Sequence, residues 1–260
     1  MRIGKQDNPF TAISTSDEAS ITVRGKDLCS ELIGQMGFTD YFFFLLSGRK
    51  PTDNQRFFID AVLLAIAEHG LVPSVQAARM TYAAAPEALQ GAVAAGLLGC
   101  GSVVLGSTEA CGRFLSELIA ESRQKKVSFE DVAANKLAAI KIAKQSIPGF
   151  GHPQHSEGDP RANKLLELAA NRNVEGDHIK MLYAVQKAIP AVIGKNLPIN
   201  VSGAIPAVML DVEFPLAALK GIPILARTAS LIAHLNEEAT RPIGFVLSHQ
   251  AAQAIHYDGE

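Results

Sequence analysis

Ile147-Pro-Gly-Phe-Gly-His-Pro-Gln-His-Ser-Glu-Gly-Asp-Pro-Arg-Ala-Asn163 is the most specific stretch of this chain. Gly149 and Gly151 flank Phe150, and both can adopt backbone angles that a Cβ disfavours, leaving room for a flat ligand against the main chain. His152 comes directly after and can act as a general acid or base near neutral pH. Arg161 carries a planar fork suited to a carboxylate. A loop able to cradle a ligand therefore leads into a base and then into an anion clamp. His152 and His155 have a His-x-x-His spacing, but no third ligand lies at a helpful distance along the chain, so no metal is expected.

The sequence around this segment reads as helix. Hydrophobic residues make up 48%, tryptophan is absent, and alanine and leucine prevail over the β-branched and aromatic residues typical of sheets. Residues 1–20 read as an arm or as poorly ordered, and Ile21 to Gly25 as a short extended piece. Asp27 is a plausible cap for a helix to about Met36, and Thr39 or Asp40 starts another that ends at Ser47-Gly48. Thr52 can cap a long helix from Asp53 to Glu68, whose apolar residues recur at helical spacing. Further helices are expected over 74–83, 86–98, 108–125, 129–143, 160–171, 177–188, 204–210 and 216–236, with a weaker one over 248–257. Ser128 to Asp131 resembles a capping box, and Pro160 suits a first helical turn. The 86–98 segment is apolar nearly all round, which calls for burial in a core or against a second subunit.

A formal net charge of −2 gives no general drive toward nucleic acid or an anionic membrane. Cys29, Cys100 and Cys111 lack metal-ligand spacing and read as buried thiols in a reducing, cytoplasmic setting. The polar N-terminus does not read as a signal peptide. No uninterrupted apolar run reaches the roughly 20 residues of a membrane span, and the longest candidate lies over 92–105.

Gly-Phe-Gly-His, with Arg161 after eight more residues within Asp-Pro-Arg-Ala, resembles the signature of the citrate synthase superfamily. That superfamily includes citrate synthases, citryl-CoA lyases and the C-terminal part of ATP-citrate lyase. The resemblance runs from about Ile21 to Pro242 and is closest to the lyase branch. It implies an all-α, citrate synthase-like fold, with a large helical domain (21–105 and 208–260) interrupted by a small one (106–207) after an arm (1–20). It also implies pairing of the large domains into a homodimer or higher homo-oligomer, and closure of the small domain over the site.

The same resemblance assigns roles. Ile147, Pro148, Gly149, Phe150 and Gly151 would carry coenzyme A, with the main chain near the adenine. His152 would act as acid/base, and His69, in Glu68-His69-Gly70, would hold the organic acid. Without the resemblance, His69 reads as a side chain that favours the negative end of a helix. Arg161, Arg227 and Arg241 would bind carboxylates, with Arg241 reaching a neighbouring subunit's site. Arg227 sits among Ile224, Leu225, Ala226 and Ala229, and an arginine in that setting needs an anionic partner.

Three positions depart from the family pattern, the least of them Pro153, where the family more often has arginine or alanine. Val104 stands where citrate synthases carry a histidine. Ser202, in Asn200-Val-Ser-Gly203, stands where the family has an aspartate that exchanges a proton with the acetyl methyl. Ser202 could relay a proton, or could simply be a turn residue bonded locally. The implied function is an acyl-CoA carbon–carbon lyase or synthase of the citryl-CoA lyase type, with acetyl-CoA and oxaloacetate as the other partners. The alternative is a homologue that binds coenzyme A and carboxylates with weak or no turnover, or serves as a partner subunit.

Overall fold

The computed structural model describes residues 9–101, 106–151 and 158–259. These form two compact units, Met1–Phe57 and Phe58–Glu260.

The first unit opens with a small antiparallel sheet of β1 (Ser14–Ser16), β2 (Ile21–Val23) and β3 (Lys26–Asp27), in that order. Part of the expected N-terminal arm is therefore a strand, with Thr15 paired to Thr22. Val23 pairs with Lys26 across a tight turn in which Arg24 and Gly25 both have positive φ, the geometry that matches strand twist in two-residue hairpins. Asp27 does act as a cap, accepting a bond from Ser30 N, but only one wide turn forms over Leu28–Leu32, closed by Ile33 N donating to Leu28 O. Gly34, with φ of 79°, interrupts the expected continuation to Met36. Helix α1 (Phe38–Ser47) ends on Gly48 in the left-handed region, and Arg24 Nε caps its last turn at Leu45 O, 3.0 Å away. Val23, Leu32 and Phe44 form the core of this unit.

Helix α2 (Asp53–Ala67) begins at a reciprocal capping box. Gln55 N donates to Thr52 Oγ1 at 3.2 Å, and Thr52 N donates to Gln55 Oε1 at 2.9 Å.

The second unit is helical among its described residues, and its helices pack in two groups. One contains α3 (Pro73–Ala84), α4 (Leu89–Leu98), α10 (Gly221–Glu238) and α11 (Gly244–Ala254). The other contains α5 (Ser107–Lys125), α6 (Phe129–Ile142), α7 (Pro160–Asn171), α8 (Asp177–Ile193) and α9 (Val201–Asp211). The second group is filled by Leu115, Leu118, Leu137, Ile179, Met181, Leu182, Ile205 and Met209, all fully buried. Asp211, at the end of α9, accepts bonds from the backbone N–H groups of Gly176, His178 and Ile179, so it fixes the start of α8.

Several boundaries moved for local reasons. Helix α8 runs past Ala188 to Ile193 with Pro190 inside its last turn, then stops at Gly194 with φ of 88°. Helix α9 starts at Val201 because Asn200 is its cap, accepting Gly203 N at 3.2 Å. Helix α4 starts at Leu89 rather than at Pro86, and it is not enclosed: Ala92 and Gly96 are buried, but Leu98 is 87% exposed. Cys29 is exposed and Cys100 half-buried, so of the three thiols only Cys111 has the expected burial. The longest apolar helical stretch is 216–238, which by length and composition alone could cross a membrane. Its apolar stripe includes Ile222, Ala226, Leu231 and Leu235, all buried, and α10 packs on α3 and α4.

The closest packing joins the opening segment to α9. A Cβ on Gly203 would collide with the main chain of Gly149, and a Cβ on Gly149 would fall 2.6 Å from Cys111 Sγ and 2.8 Å from Gly203 Cα. These obstacles are largely backbone and cannot rotate away. Gly203→Ala should therefore destabilise the chain by about 1–3 kcal/mol in urea unfolding. Gly221→Ala, at a helical position with open space around it, serves as the control and should be neutral or slightly stabilising. Equal stability of the Gly203→Ala variant and the parent would show that the loop yields.

Candidate functional site

The loop 147–151 is held by its main chain. Gly151 N donates to Pro198 O at 2.8 Å and Asn200 N to Gly149 O at 3.0 Å, and Phe150 pairs with Ile199 as an isolated antiparallel bridge. Asn200 Nδ2 donates to Gly151 O at 2.7 Å, so one asparagine both caps α9 and fastens the loop. Gly149 and Gly151 have φ of 87° and 80°, the left-handed region their identity suggested. Ile147 and Phe150 are buried.

Asp159 is completely buried and joins two helix starts. It caps α7, accepting Arg161 N at 3.0 Å, and accepts Val201 N at the start of α9 at 2.9 Å. The Arg161 side chain closes on the same carboxylate, with Nε 3.0 Å from Oδ1 and Nη2 2.9 Å from Oδ2. Burial alone would push the Asp159 carboxyl up. The bonds from Arg161 and Val201 outweigh it and hold Asp159 below the usual carboxylate range. Two of the three guanidinium nitrogens of Arg161 are thus engaged inside the chain. Ser202, the second residue of α9, is half-buried, and its hydroxyl accepts a 2.8 Å bond from Ser107, the first residue of α5. Sequence reasoning passed over Ser107, because a lone serine at a helix start carries no motif.

A second cluster gathers around Glu68. Its Oε1 accepts His69 N at 2.8 Å and Gly70 N at 2.6 Å, while Oε2 accepts Ser230 Oγ at 2.8 Å and lies 3.0 Å from His234 Nε2. Glu68 therefore fastens the turn carrying His69 to α10. Gly70 has φ of 69°, consistent with a helix stop. Partial burial raises the Glu68 carboxyl, but the bonds from Ser230, His234 and Gly70 prevail and bring it down to about 2.

Arg227 lies on α10, one turn before Leu231. It is 3% exposed, and its Nε and Nη1 are buried with no hydrogen-bond partner among the described residues. Burial pushes its guanidinium below the ordinary arginine value, and the nearby Glu68 and Cys100 act in the opposite direction. Burial raises the Cys100 thiol as well, and Arg227 opposes that rise. The anionic partner expected for Arg227 is thus not a bound carboxylate among the described residues of its own chain.

Arg241 stands apart, with its side chain 82% exposed. Its carbonyl accepts Arg79 Nη2 at 3.0 Å. Arg79 is buried and pairs with Glu238 and with Glu237, the latter at 3.0 Å, while Glu238 accepts the N–H groups of Ile243 and Gly244. The chain on both sides of Arg241 is therefore fixed by an ion-pair network that sequence periodicity did not reveal. His178 is structural, its Nδ1 2.9 Å from Asp211 Oδ1. His152, Pro153, His155 and Val104 lie outside the described residues.

The structure thus brings Glu68, His69, Cys100 and Arg227 together at one place. It brings loop 147–151, Asp159, Arg161, Ser107 and Ser202 together at another. The first can hold an anion through a buried cation whose Nε and Nη1 have no partner among the described residues. The second joins a loop held by its main chain to a pair of half-buried hydroxyls.

Two measurements check these assignments. With Nε and Nη1 unpartnered among the described residues, Arg227→Met should leave the ligand-free protein as stable as the parent or more stable, by about 1–3 kcal/mol in urea; a large loss would reveal an internal partner. The Glu68 carboxyl ionises near 2 against an ordinary 4.5. Its contribution is thus full above about 4.5 and is lost as the pH falls through about 2. In acid titrations monitored by circular dichroism, Glu68→Gln should cost stability at pH 6 and lose less than the parent between pH 4.5 and 2. Parallel curves would contradict the assignment.

Residues 11–243 match the family model for the citrate synthase C-terminal domain. Citryl-CoA lyase from Hydrogenobacter thermophilus is similar over 100% of this chain and 96% of its own, with a TM-score of 0.84 and 31% identity. ATP citrate lyase from Methanothrix soehngenii, solved with citrate and coenzyme A, shares the fold over 99% of this chain and 43% of its own, with a TM-score of 0.77 and 22% identity. Citrate synthase 2 from Bacillus subtilis (strain 168) is 24% identical over 205 residues, 78% of this chain. The chain spans about half the length of that relative, 52%.

Proposed function

The chain belongs to the citrate synthase family, with an all-α, citrate synthase-like fold, and we propose that it is an acyl-CoA carbon–carbon lyase or synthase of the citryl-CoA lyase type. The observation that carries this reading is Arg227, a buried guanidinium with two nitrogens unpartnered among the described residues, beside the Glu68-His69-Gly70 turn. A buried cation without a partner is a costly arrangement that a carboxylate ligand relieves.

In this reading citryl-CoA is cleaved to acetyl-CoA and oxaloacetate. Loop 147–151 presents its main chain to coenzyme A. His152 takes the hydroxyl proton as the carbon–carbon bond breaks, and His69 orients the oxaloacetate part. Arg227 and Arg161 hold carboxylates, Arg161 through the nitrogen that Asp159 leaves free. Arg241, exposed on a fixed segment, reaches the site of a second subunit in a homodimer or higher assembly. Ser202 meets the acetyl unit. The helices within 21–105 and 208–260 form the large domain, and those within 106–207 a small domain that closes over the ligand. The reaction calls for no metal, and the cytoplasm is the compartment this chemistry suits.

A second reading has one observation in its favour. The position expected to carry a carboxylate holds a serine whose hydroxyl is already bonded to Ser107. On this reading the protein binds coenzyme A thioesters and carboxylates but turns them over weakly, or acts as a partner subunit.

Thermal unfolding with ligands tests what the two readings share. Citrate, oxaloacetate, coenzyme A or acetyl-CoA at millimolar concentration should raise Tm, since a ligand at about 100 times its Kd stabilises by about 2.7 kcal/mol. Arg227→Met should lose the citrate response and keep that to coenzyme A. No shift with any of the four ligands would defeat both readings. Citryl-CoA cleavage then separates them: Ser202→Asp should raise the rate by about 10²-fold or more if only the acid/base is lacking. A rate that stays undetectable in parent and variant alike favours the binding protein.

A further inference from the structure

Ser107 is a residue that neither the opening motif nor the arginine set includes. Helices α5 and α9 pack against each other, and the main chain of Gly149 is wedged between them, against Cys111 on α5 and Gly203 on α9. Cys111 lies one helical turn after Ser107, and Gly203 is the residue after Ser202. The Ser107–Ser202 bond therefore sits one turn from that wedge, at the end where both helices begin. This is the end that faces the loop leading to His152.

The two hydroxyl oxygens lie 2.8 Å apart, and either can donate to the other. The direction that serves chemistry is Ser107 Oγ to Ser202 Oγ. A hydroxyl has one proton and two lone pairs. With one lone pair of Ser202 filled by Ser107, its own O–H remains available to a third group. Accepting one hydrogen bond also polarises a hydroxyl, making it the stronger donor in the next. Nearby Asp159 cannot take this role, because Arg161 and Val201 N engage both of its oxygens. Both serines are half-buried, which leaves the pair reachable from one side and partly shielded from water.

We propose that Ser107 is a positioning residue that sets Ser202 as the proton donor to the acyl unit, an inference that rests on the carbon–carbon lyase reading. When the bond to the acetyl unit breaks, its electron pair remains on the thioester as an enolate. The Ser202 proton moves to the enolate carbon, giving the methyl group. The Ser107 proton moves to Ser202, and a water molecule returns a proton to Ser107. The net change is one proton taken from water, with the resulting hydroxide neutralised by the proton that left the citryl hydroxyl. Neither serine titrates near neutrality, so this transfer adds no pH dependence of its own there.

The test compares the full-length parent with Ser107→Ala and Ser107→Thr, using citryl-CoA as substrate. Ser107→Ala should lower kcat by about 10-fold or more, toward the 10²- to 10⁴-fold typical of losing an acid itself. KM for citryl-CoA should stay within about twofold, and the Tm rise with coenzyme A should be unchanged, because no binding group is lost. Ser107→Thr, which keeps the hydroxyl, should recover most of the rate. In mixtures of H2O and D2O the parent should give a curved dependence of kcat on deuterium content, as two protons moving together require. Equal kcat for Ser107→Ala and the parent would overturn the proposal, as would a threonine variant as slow as the alanine one. If Ser107→Ala does not fold, the threonine variant and the parent's deuterium dependence still decide, a linear dependence counting against the pair. An inactive parent that binds coenzyme A defeats the lyase reading, and Ser107 with it. An active parent matched by Ser107→Ala defeats the role of Ser107 alone.

Discussion

At Gly149 and Gly203 two main chains approach more closely than any side chain allows. The loop side of the candidate site depends on this contact. With Gly149 pressed on α9, its carbonyl can accept Asn200 N, and Asn200 can in turn cap α9 and hold Gly151. Asp159 then closes the arrangement from the other side by binding Val201 N and the first turn of α7. Four backbone groups that helix starts would otherwise leave open are satisfied in this way. The loop is consequently presented with its main chain fixed before any ligand arrives. That preorganisation lowers the ordering cost of binding.

Much of this was legible in the sequence, for reasons that can be named. Gly149 and Gly151 advertised positive φ, and Pro160 advertised a first helical turn, because both are local rules. The long helices could be read from apolar spacing and caps such as Thr52 and Ser128. Ser107, Ser230 and Glu238 were not legible, since each acts through a partner far away in the chain. Glu238 pairs with Arg79 across 159 residues and Ser230 with Glu68 across 162. Nothing periodic marks such a pair, and a charged residue in a helix reads by default as solvated. The wide turn at Leu28–Leu32 and the strand at Ser14–Ser16 were missed for a different reason: short elements carry too few residues for a pattern to emerge.

Arg79 and Arg227 show how the same side chain can serve structure or ligand. Both are 3% exposed, and both lie in the helical group of α3, α4, α10 and α11. Arg79 has its donors matched by Glu237, Glu238 and the Arg241 carbonyl, so its charge is fully answered inside the chain. Breaking such a pair typically costs about 3–5 kcal/mol, because the remaining charge stays buried. Arg227 is already in that unanswered state at Nε and Nη1 among the described residues. Glu68 lies close enough to offset part of the cost, but its own oxygens are taken by the His69 turn, Ser230 and His234. Glu68 thus stabilises the cation through space without occupying it. With a total stability of about 5–15 kcal/mol typical of folded chains, a buried cation whose Nε and Nη1 have no partner among the described residues costs a substantial fraction of that total. Folding alone gives no reason to keep it, since a methionine would pack in the same place without a desolvation cost. A ligand that brings its own carboxylate does give one. In the proposed reading it meets donors that are already buried, held by α10 against α3 and α4.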